Sequence, residues 1–435
     1  MKLRIFIFLF SVGLSLATTS SLAEESLEIS APGVETIPIA ITEPLRIDGE
    51  SAPGIPAEVA EVLNYDLELS GLFRPIDPEA FLEDAEQLGL SSAEVAFGEW
   101  RLLGAEVVIK GGYKLQGPEL ILEMRLFDTI KRRLLTGRRY VGTRGDLRRM
   151  AHAFADDILK SLTGEPGPFS ERIAFISNAT GNKELYLMDI DGHNQVRLTD
   201  HQSIVLNPDF SPISKEIIYT SYLKGNPDLY RKEIYTGREA RISMREGLNV
   251  GARYAPNGRE IVLTLSERGN FDLALIAASG SLLRRLSTSW GIDSDPTWSP
   301  GGEKLAFVSD RHGNPHLFIF DIDRNEAARL TRNGKYHATP AWNPTEDLIA
   351  FSRLEQGKFD IYTIRPDGSD ERRLTFGPGN KEHPRWSPDG RFLVYSSTES
   401  GERTIYIMRA DGTGARKISR HSGSSQHPAW SSAWN

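Results

Sequence analysis

The stretch "DPTWSPGGEKLAFVSDR" at residues 295–311 joins a tryptophan, a Ser-Pro-Gly-Gly turn and a strand-like apolar run. A near copy, "HPRWSPDGRFLVYSST", occupies residues 383–398. Aromatic residues followed two positions later by proline recur at a fixed interval of 44 residues, and a last aromatic without the proline continues the series. A fixed period of this length is typical of repeat proteins. The series consists of Phe210, Tyr254, Trp298, Trp342, Trp386 and Trp430.

Each repeat contains four strand-like runs, for example "AWNP", "LIAFSR", "DIYTIR" and "RRLT" within residues 341–375. Units of about 40–50 residues with four strands each are typical of β-propeller blades. The series begins with a second-type strand at 172–177 and ends with a first-type strand at 428–431. Pairing these two strands would close a ring. The sequence therefore predicts a six-bladed β-propeller over 172–435, closed by N- and C-terminal strands.

The part of the chain before the repeats has a different pattern. The runs "IPAEVAEVLNYDLELSG" and "DLRRMAHAFADDILKSLTG" place apolar residues at helical spacing and end in glycine. The runs "EVVIKGGYK" and "ELILEMRLF" are typical of strands. We therefore predict a two-domain protein in which a small N-terminal α/β domain precedes the propeller. The predicted boundaries are 42–164 for the α/β domain and 165–171 for the linker.

The N-terminus has the pattern of a secretory signal. Lys2 and Arg4 precede an apolar run from residue 5 to residue 16, and small residues end at Ala23. The run is too short to span a bilayer comfortably. We predict a signal peptide over 1–23 and no membrane span. The chain has no cysteine, which excludes disulfides and a lipid anchor on cysteine.

Charge is unevenly distributed along the chain. The net charge of −8 argues against nucleic acid as a partner, because phosphate binding needs a basic excess. Residues 50–100 carry twelve acidic side chains against one arginine, whereas residues 125–149 carry nine basic side chains against two acidic ones. This asymmetry fits complementary surfaces within one domain, or a basic patch for an anionic partner.

Catalytic and metal-binding motifs are missing from the predicted mature sequence. It contains no G-x-S-x-G, H-E-x-x-H or P-loop pattern. The "DIDG" at 189–192 resembles the start of a calcium loop, but the later ligand positions are absent, which favours a hairpin turn. His337, His383 and His427 have no carboxylate companions in the pattern. We predict a protein without catalytic residues, metal or cofactor.

The loops that enter the innermost strands should surround one mouth of the central channel. Six loops converging on a funnel of mixed polar and apolar residues suit a protein partner that inserts a loop. The predicted mouth residues are Asn207, Leu248, Gly251, Ser294, Asp295, His337, Thr339, His383 and His427.

The chain as a whole resembles the TolB family, the periplasmic propellers of the Tol–Pal system. The resemblance rests on "DLELSGLFRPI", the junction "AHAFADDILKSLTGEPGPFSERIAFIS" and the "WSPDG" turns, of which the junction is the most specific. The sequence departs from the family pattern at "RYAPNG" and at the final "WSSAWN".

The resemblance implies a non-enzymatic scaffold in the periplasm. Members of the family bind Pal, the peptidoglycan-associated lipoprotein, at the channel mouth, and TolA through an N-terminal segment; together they support outer-membrane integrity and invagination during cell division. Further outer-membrane proteins are candidate partners. Leu248, Gly251 and Ser294 match the family's Pal-sensitive positions. Residues 24–41 match the partner-binding segment and first strand, and the segment's implied TolA-binding residues are Glu24, Glu25, Leu27, Ile29 and Val34.

Two other functions remain open from the sequence. The propeller could bind a small ligand, or act as a hydrolase, in its central channel; a hydrolase should carry clustered carboxylates, and only Asp295 stands among the predicted mouth residues. A passive adhesion propeller would not need the α/β domain or a strand-like terminus.

Overall fold

The computed structural model describes residues 36–82, 88–266, 269–420 and 422–432. Over these residues the chain forms a small α/β domain followed by a six-bladed β-propeller, as predicted. The predicted signal peptide and the implied TolA-binding residues, up to Val34, lie outside the described residues.

The α/β domain contains one mixed sheet and three α-helices. Short 3₁₀ turns occur at Pro78–Ala80 and Arg144–Asp146. The elements are β1 (Ile37–Ile41), β2 (Leu45–Arg46), α1 (Ile55–Ser70), β3 (Phe73–Pro75), α2 (Phe97–Leu102), β4 (Val107–Gln116), β5 (Glu119–Asp128), β6 (Arg133–Thr143) and α3 (Leu147–Thr163).

Helices α1 and α3 form where the apolar spacing predicts them. Gly71 and Gly164 end them in the left-handed conformation, with φ of 73° and 85°. Both helices bury their apolar stripes against the sheet. The sheet has the order β3-β1-β4-β5-β6, with β2 pairing β4. Strand β1 is parallel to both of its neighbours, so residues 37–41 form a central strand of the domain.

The second face of the sheet is also covered, which the sequence pattern does not indicate. Alternation in β5 predicts one buried face, yet Ile121 and Phe127 on the other face are buried as well. Phe127 packs with Phe97 and Trp100 of α2. Helix α2 has only six residues, too few for a helical period to be recognised.

The propeller consists of six four-stranded antiparallel sheets. We number the blade that contains both chain ends as blade 1 and the others in chain order. Blade 1 is β30 (Ser425–Trp430), β7 (Arg172–Thr180), β8 (Asn182–Asp189) and β9 (Val196–Arg197); blade 2 is β10 (Val205–Phe210), β11 (Glu216–Ser221), β12 (Asp228–Glu233) and β13 (Glu239–Ser243); blade 3 is β14 (Asn249–Tyr254), β15 (Glu260–Leu265), β16 (Asp272–Ala277) and β17 (Leu282–Arg285); blade 4 is β18 (Asp293–Trp298), β19 (Lys304–Ser309), β20 (His316–Asp321) and β21 (Glu326–Arg329); blade 5 is β22 (His337–Trp342), β23 (Ile349–Glu355), β24 (Lys358–Ile364) and β25 (Arg372–Arg373); blade 6 is β26 (Lys381–Trp386), β27 (Phe392–Ser397), β28 (Thr404–Arg409) and β29 (Arg416–Lys417).

The ring is closed by the predicted pairing of the last strand with the first. Strand β30 lies antiparallel to β7, with Trp430 opposite Ile173. The Ser431 hydroxyl extends the contact: it accepts a hydrogen bond from the Arg172 amide at 2.9 Å and donates one to Glu171 at 2.6 Å.

Apolar clusters between neighbouring blades hold the propeller together. Five clusters each join two blades that are consecutive in sequence. The cluster between blades 6 and 1 differs, because it is continuous with the core of the α/β domain. Phe169 of the linker packs on Phe392 of blade 6, with ring centroids 5.9 Å apart. The α/β domain therefore packs on the seam where the ring closes.

Among the described residues, no helix is long and apolar enough to cross a membrane.

Removing the Trp430 ring should destabilise the closed propeller. This residue is 8% exposed and belongs to the apolar cluster between blades 6 and 1. Trp430→Ala should therefore lower the free energy of unfolding by about 3–5 kcal/mol. Denaturant unfolding followed by circular dichroism measures the change. The control Trp290→Ala, at a residue 78% exposed, should stay within about 0.5 kcal/mol of the parent protein. Equal effects of the two substitutions would contradict the role of the seam.

Candidate functional site

The first strand of every blade lines the central channel and contains the same irregularity. In each, the ladder with the second strand skips two residues, for example between Ser294 and Thr297 in blade 4. The first skipped residue has a left-handed backbone, with φ from 48° to 64°. Bulges re-aim side chains, and five of the six residues here line the narrow part of the channel, whereas the sixth is a glycine without a side chain. These six residues, the bulge ring, are Asn207, Gly251, Asp295, Thr339, His383 and His427.

All six residues of the bulge ring were predicted at the mouth, and the structure brings them together. The Asn207 amide lies 3.4 Å from Nδ1 of His427. The imidazole centroids of His427 and His383 are 4.2 Å apart. On the other side of the ring, the Asp295 carboxylate accepts a hydrogen bond from the Thr339 amide. The space left at this ring is about 20 Å³, enough for about one water molecule.

The histidines of the bulge ring are neutral at physiological pH. Burial, with Arg403 and Arg253 nearby, lowers the pKa of His383 to about 3. Burial and the adjacent His383 hold the pKa of His427 well below its usual range. Burial likewise raises the pKa of Asp295, against the effect of Arg253. The two histidines therefore add no charge to the ring, which forms a polar constriction.

The other three predicted mouth residues occupy different positions. His337 is fully buried, with its ring 4.8 Å from that of His316, so it does not reach the channel surface. Ser294 is half-buried beside Asp295, at the entrance to β18. Leu248 is half-buried on the loop that enters β14, where its amide donates to Ser266.

A set of apolar side chains surrounds the mouth; all of them except the half-buried Leu248 are exposed, and all except Leu248 were missed by the sequence analysis. Ile204, Ile292 and Tyr336 share the repeat position of Leu248 and are 41–46% exposed. Trp290 is 78% exposed on the loop before Ile292. The sequence did contain a signal for this set, since four consecutive repeats have an apolar residue at the same loop position. This set, the apolar rim, consists of Ile204, Met244, Leu248, Trp290, Ile292, Tyr336 and Phe376.

A buried charge cluster joins the α/β domain to blade 1. Nδ1 of His152 lies 2.7 Å from Asp66, and its Nε2 lies 3.4 Å from Asp191. Nε of Arg148 donates to Asp191 at 3.2 Å. All four residues are buried, so the two carboxylates and two cationic groups compensate one another away from water.

The cluster shifts the pKa values of its members in opposite directions. Burial alone would lower the pKa of His152, but Asp66 and Asp191 outweigh it and raise the pKa to about 10. Burial raises the pKa of Asp66 to about 6. The pKa of Asp191 falls well below its usual range, because His152 and Arg148 outweigh its burial. His152 is therefore protonated at neutral pH.

The "DIDG" segment forms the hairpin turn that the sequence favours. The Asp189 amide donates to the His193 carbonyl, and Gly192 has a φ of 82°. A Cβ at Gly192 would lie 1.8 Å from the Ile418 carbonyl oxygen, so only glycine fits. The turn supplies Asp191 to the charge cluster. The backbone geometry of this turn therefore positions the carboxylate that blade 1 contributes to the charge cluster.

One group of three candidate metal ligands occurs among the described residues, namely His152, Asp189 and Asp191. Arg148 already contacts Asp191, and Arg172 lies 2.9 Å from Asp189. Because guanidinium groups compensate these carboxylates, the arrangement is that of an ion-pair network.

The basic residues of 125–149 also pair largely within the domain. Arg138 binds Asp157 through two hydrogen bonds of 2.9 and 3.0 Å. Arg144 forms a salt bridge to Glu58. The charge asymmetry of the sequence is therefore largely compensated inside the α/β domain.

Family models match both parts of the chain. A model described as the TolB beta propeller domain matches residues 159–434, and one described as the TolB amino-terminal domain matches residues 25–135. The first match alone covers more than half of the chain. The chain belongs to the TolB β-propeller family. The family's two-part organisation agrees with the α/β domain and propeller described above.

Curated relatives of the TolB family carry the name "Tol-Pal system protein TolB". The protein from Syntrophotalea carbinolica is 61% identical over 209 residues, and that from Geobacter sulfurreducens is 43% identical over 210 residues. Each match covers 48% of this chain and 48% of the relative. The chain spans about half the length of the curated relatives it matches.

Solved TolB structures are similar in fold. The crystal structure of TolB from Acinetobacter baumannii has a TM-score of 0.80 at 24% identity, covering 92% of this chain and 98% of that one. The structure of putative TolB from Agrobacterium tumefaciens has a TM-score of 0.51 at 19% identity, covering 59% and 91%. At these identities the likeness concerns the fold alone.

The charge cluster between the domains should make the protein less stable at alkaline pH. The pKa of His152 is raised from 6.5 to about 10, so its contribution is fully present below pH 6.5 and is lost as the pH rises through about 10. The parent protein should therefore lose more stability between pH 6.5 and pH 10 than His152→Gln does. Thermal unfolding across this range measures the difference. The exposed His312→Gln control should follow the parent, and parallel curves for parent and His152→Gln would refute the linkage.

Proposed function

We propose that the protein is a non-enzymatic component of the Tol–Pal system, which binds Pal at the channel mouth and TolA through residues 24–36. In this proposal it works in the periplasm and supports outer-membrane integrity and invagination during cell division; further outer-membrane proteins are candidate additional partners. The observation that carries the proposal is the apolar rim around the mouth of a TolB-family propeller.

The composition of the rim supports a protein partner. Exposed apolar side chains that cluster, as Trp290, Ile292 and Tyr336 do, are typical of protein interaction sites. Tryptophan and tyrosine also contribute a large share of the binding energy at many interfaces. Behind the rim, the half-buried Ser294 and the bulge ring offer polar groups to an inserted loop. A wide apolar edge around a polar centre is therefore suited to a folded domain with a protruding segment.

The same geometry disfavours the alternative of a small ligand or a hydrolase at the mouth. The bulge ring leaves only about 20 Å³, far less than the roughly 300 Å³ of a ligand pocket. Asp295 is the sole carboxylate of the ring, and it faces Arg253 instead of a second acid. Paired carboxylates for acid–base hydrolysis are therefore lacking at this ring.

The position of β1 supports a link between the N-terminal segment and the rest of the domain. Residues 24–36 lead directly into β1, which lies between β3 and β4 and packs against α1. Helix α1 reaches the seam of the propeller, where the Tyr65 hydroxyl donates to the Ile190 carbonyl at 3.4 Å. Pal binding at the mouth could thus alter the exposure of the segment through this interface. The shift would be limited by the difference in Pal affinity between the two states.

Truncating the rim should weaken Pal binding. Because Trp290 is the most exposed aromatic of the rim, Trp290→Ala should reduce the affinity for the soluble domain of Pal from the same organism by about tenfold or more. Calorimetric titration measures it. The matched control is Tyr235→Ala, which is 66% exposed on a turn at the opposite face and should bind as the parent does. The absence of saturable binding by the parent protein would count against the proposal.

Deleting residues 24–36 should separate the two proposed partners. The deletion removes the proposed TolA-binding residues but leaves the propeller intact, so TolA binding should be abolished while Pal binding stays within a few fold. Pull-down with TolA and titration with Pal measure the two effects. A loss of both activities would mean that the segment supports the fold, and unchanged TolA binding would refute its assignment.

A further inference from the structure

Beyond the bulge ring, the channel widens into a cavity of about 370 Å³ at the end opposite the mouth, here called the basal cavity. It lies where the first strands end, so its walls are the aromatic residues of the repeat and the prolines that follow them. This volume is in the range of small-molecule sites. The aromatic wall residues are Phe210, Tyr254, Trp298, Trp342, Trp386 and Trp430.

Polar groups converge on the end of the basal cavity that adjoins the bulge ring. Arg253 and Arg385 line both spaces. Arg253 is 9% exposed, and its Nε has no hydrogen-bond partner although it lies 3.9 Å from Asp209. The Arg385 side chain is half-buried and forms no hydrogen bond or ion pair with any residue that the structure describes. Asp295 lies on the ring side and is not part of the cavity wall.

These groups give the basal cavity a preference for anions. Asp209 in the wall and Asp295 on the ring side both offset the charge of Arg253. Arg385 has no such partner among the described residues, so it supplies the positive charge that an anion meets in this cavity. A carboxylate is the acceptor whose planar geometry a guanidinium matches best. The remaining walls are apolar rings and prolines, which favour an apolar body behind the anionic group.

The geometry points to the basal cavity as a binding site for a carboxylate carried on an apolar body. The Arg385 guanidinium binds the carboxylate, and the aromatic and proline walls enclose the rest of the ligand. The site is separated from the mouth by the bulge ring and does not depend on Pal binding. A free aromatic acid and the C-terminus of a peptide ending in an apolar residue share this chemistry.

Titration of the full chain with 3-phenylpropionate and with its neutral amide tests the assignment. The acid should bind saturably and at least about tenfold more tightly than the amide, since only the acid carries a negative charge that can form a bidentate ion pair with the guanidinium. Arg385→Gln should remove this preference and Arg385→Lys should retain part of it. The control Arg365→Gln changes an exposed arginine on a turn of blade 5 and should leave the affinity unchanged. Calorimetry and tryptophan fluorescence report binding, since four of the wall residues are tryptophans.

Several results would overturn the proposal. These are equal affinities for acid and amide, no binding of the acid at millimolar concentration, and an unchanged preference in Arg385→Gln. The comparison of acid with amide uses the parent protein, so it stands even if a variant fails to fold. Acetyl-Ala-Phe with a free or amidated C-terminus distinguishes the two sources. Tighter binding of the free-acid peptide than of 3-phenylpropionate identifies a chain terminus, and the reverse identifies a small free acid.

Discussion

The antiparallel pairing of β30 with β7 joins the last described strand of the chain to the first strand of the propeller. The five apolar clusters between consecutive blades form between repeats that follow one another in sequence. The pairing of β30 with β7 instead brings together segments from the two ends of the propeller sequence. The chain has no cysteine to fix the junction covalently. Stability at the seam comes instead from burial, and the α/β domain shares its core with blades 6 and 1 there.

The same seam carries the principal polar contacts between the domains. Asp191 is placed by the Gly192 turn, and Arg148 and His152 reach it from α3. The apolar contacts at the seam are non-directional. The charge cluster fixes one orientation of the α/β domain on the propeller, because displacing either partner leaves a buried charge uncompensated.

The channel has two ends with different chemistry, separated by the bulge ring. Five non-glycine residues of the ring hold left-handed φ angles, which the surrounding ladders must stabilise because such conformations are unfavourable. The repeated strain narrows the channel at one level. Above it, the apolar rim presents a broad surface suited to a protein. Below it, the basal cavity combines aromatic walls with Arg253 and Arg385, which suits an anionic group of limited size.

The sequence by itself determined the number of blades, their closure and the two long helices, because these depend on local period, turns and caps. It also indicated β1 at residues 37–41. Only the tertiary structure decided that His337 is buried away from the mouth, that Trp290 joins a continuous rim, and that Arg253 and Arg385 meet in one cavity. These outcomes depend on side chains from different blades, and no spacing within one repeat encodes which neighbours a residue meets once the ring is closed.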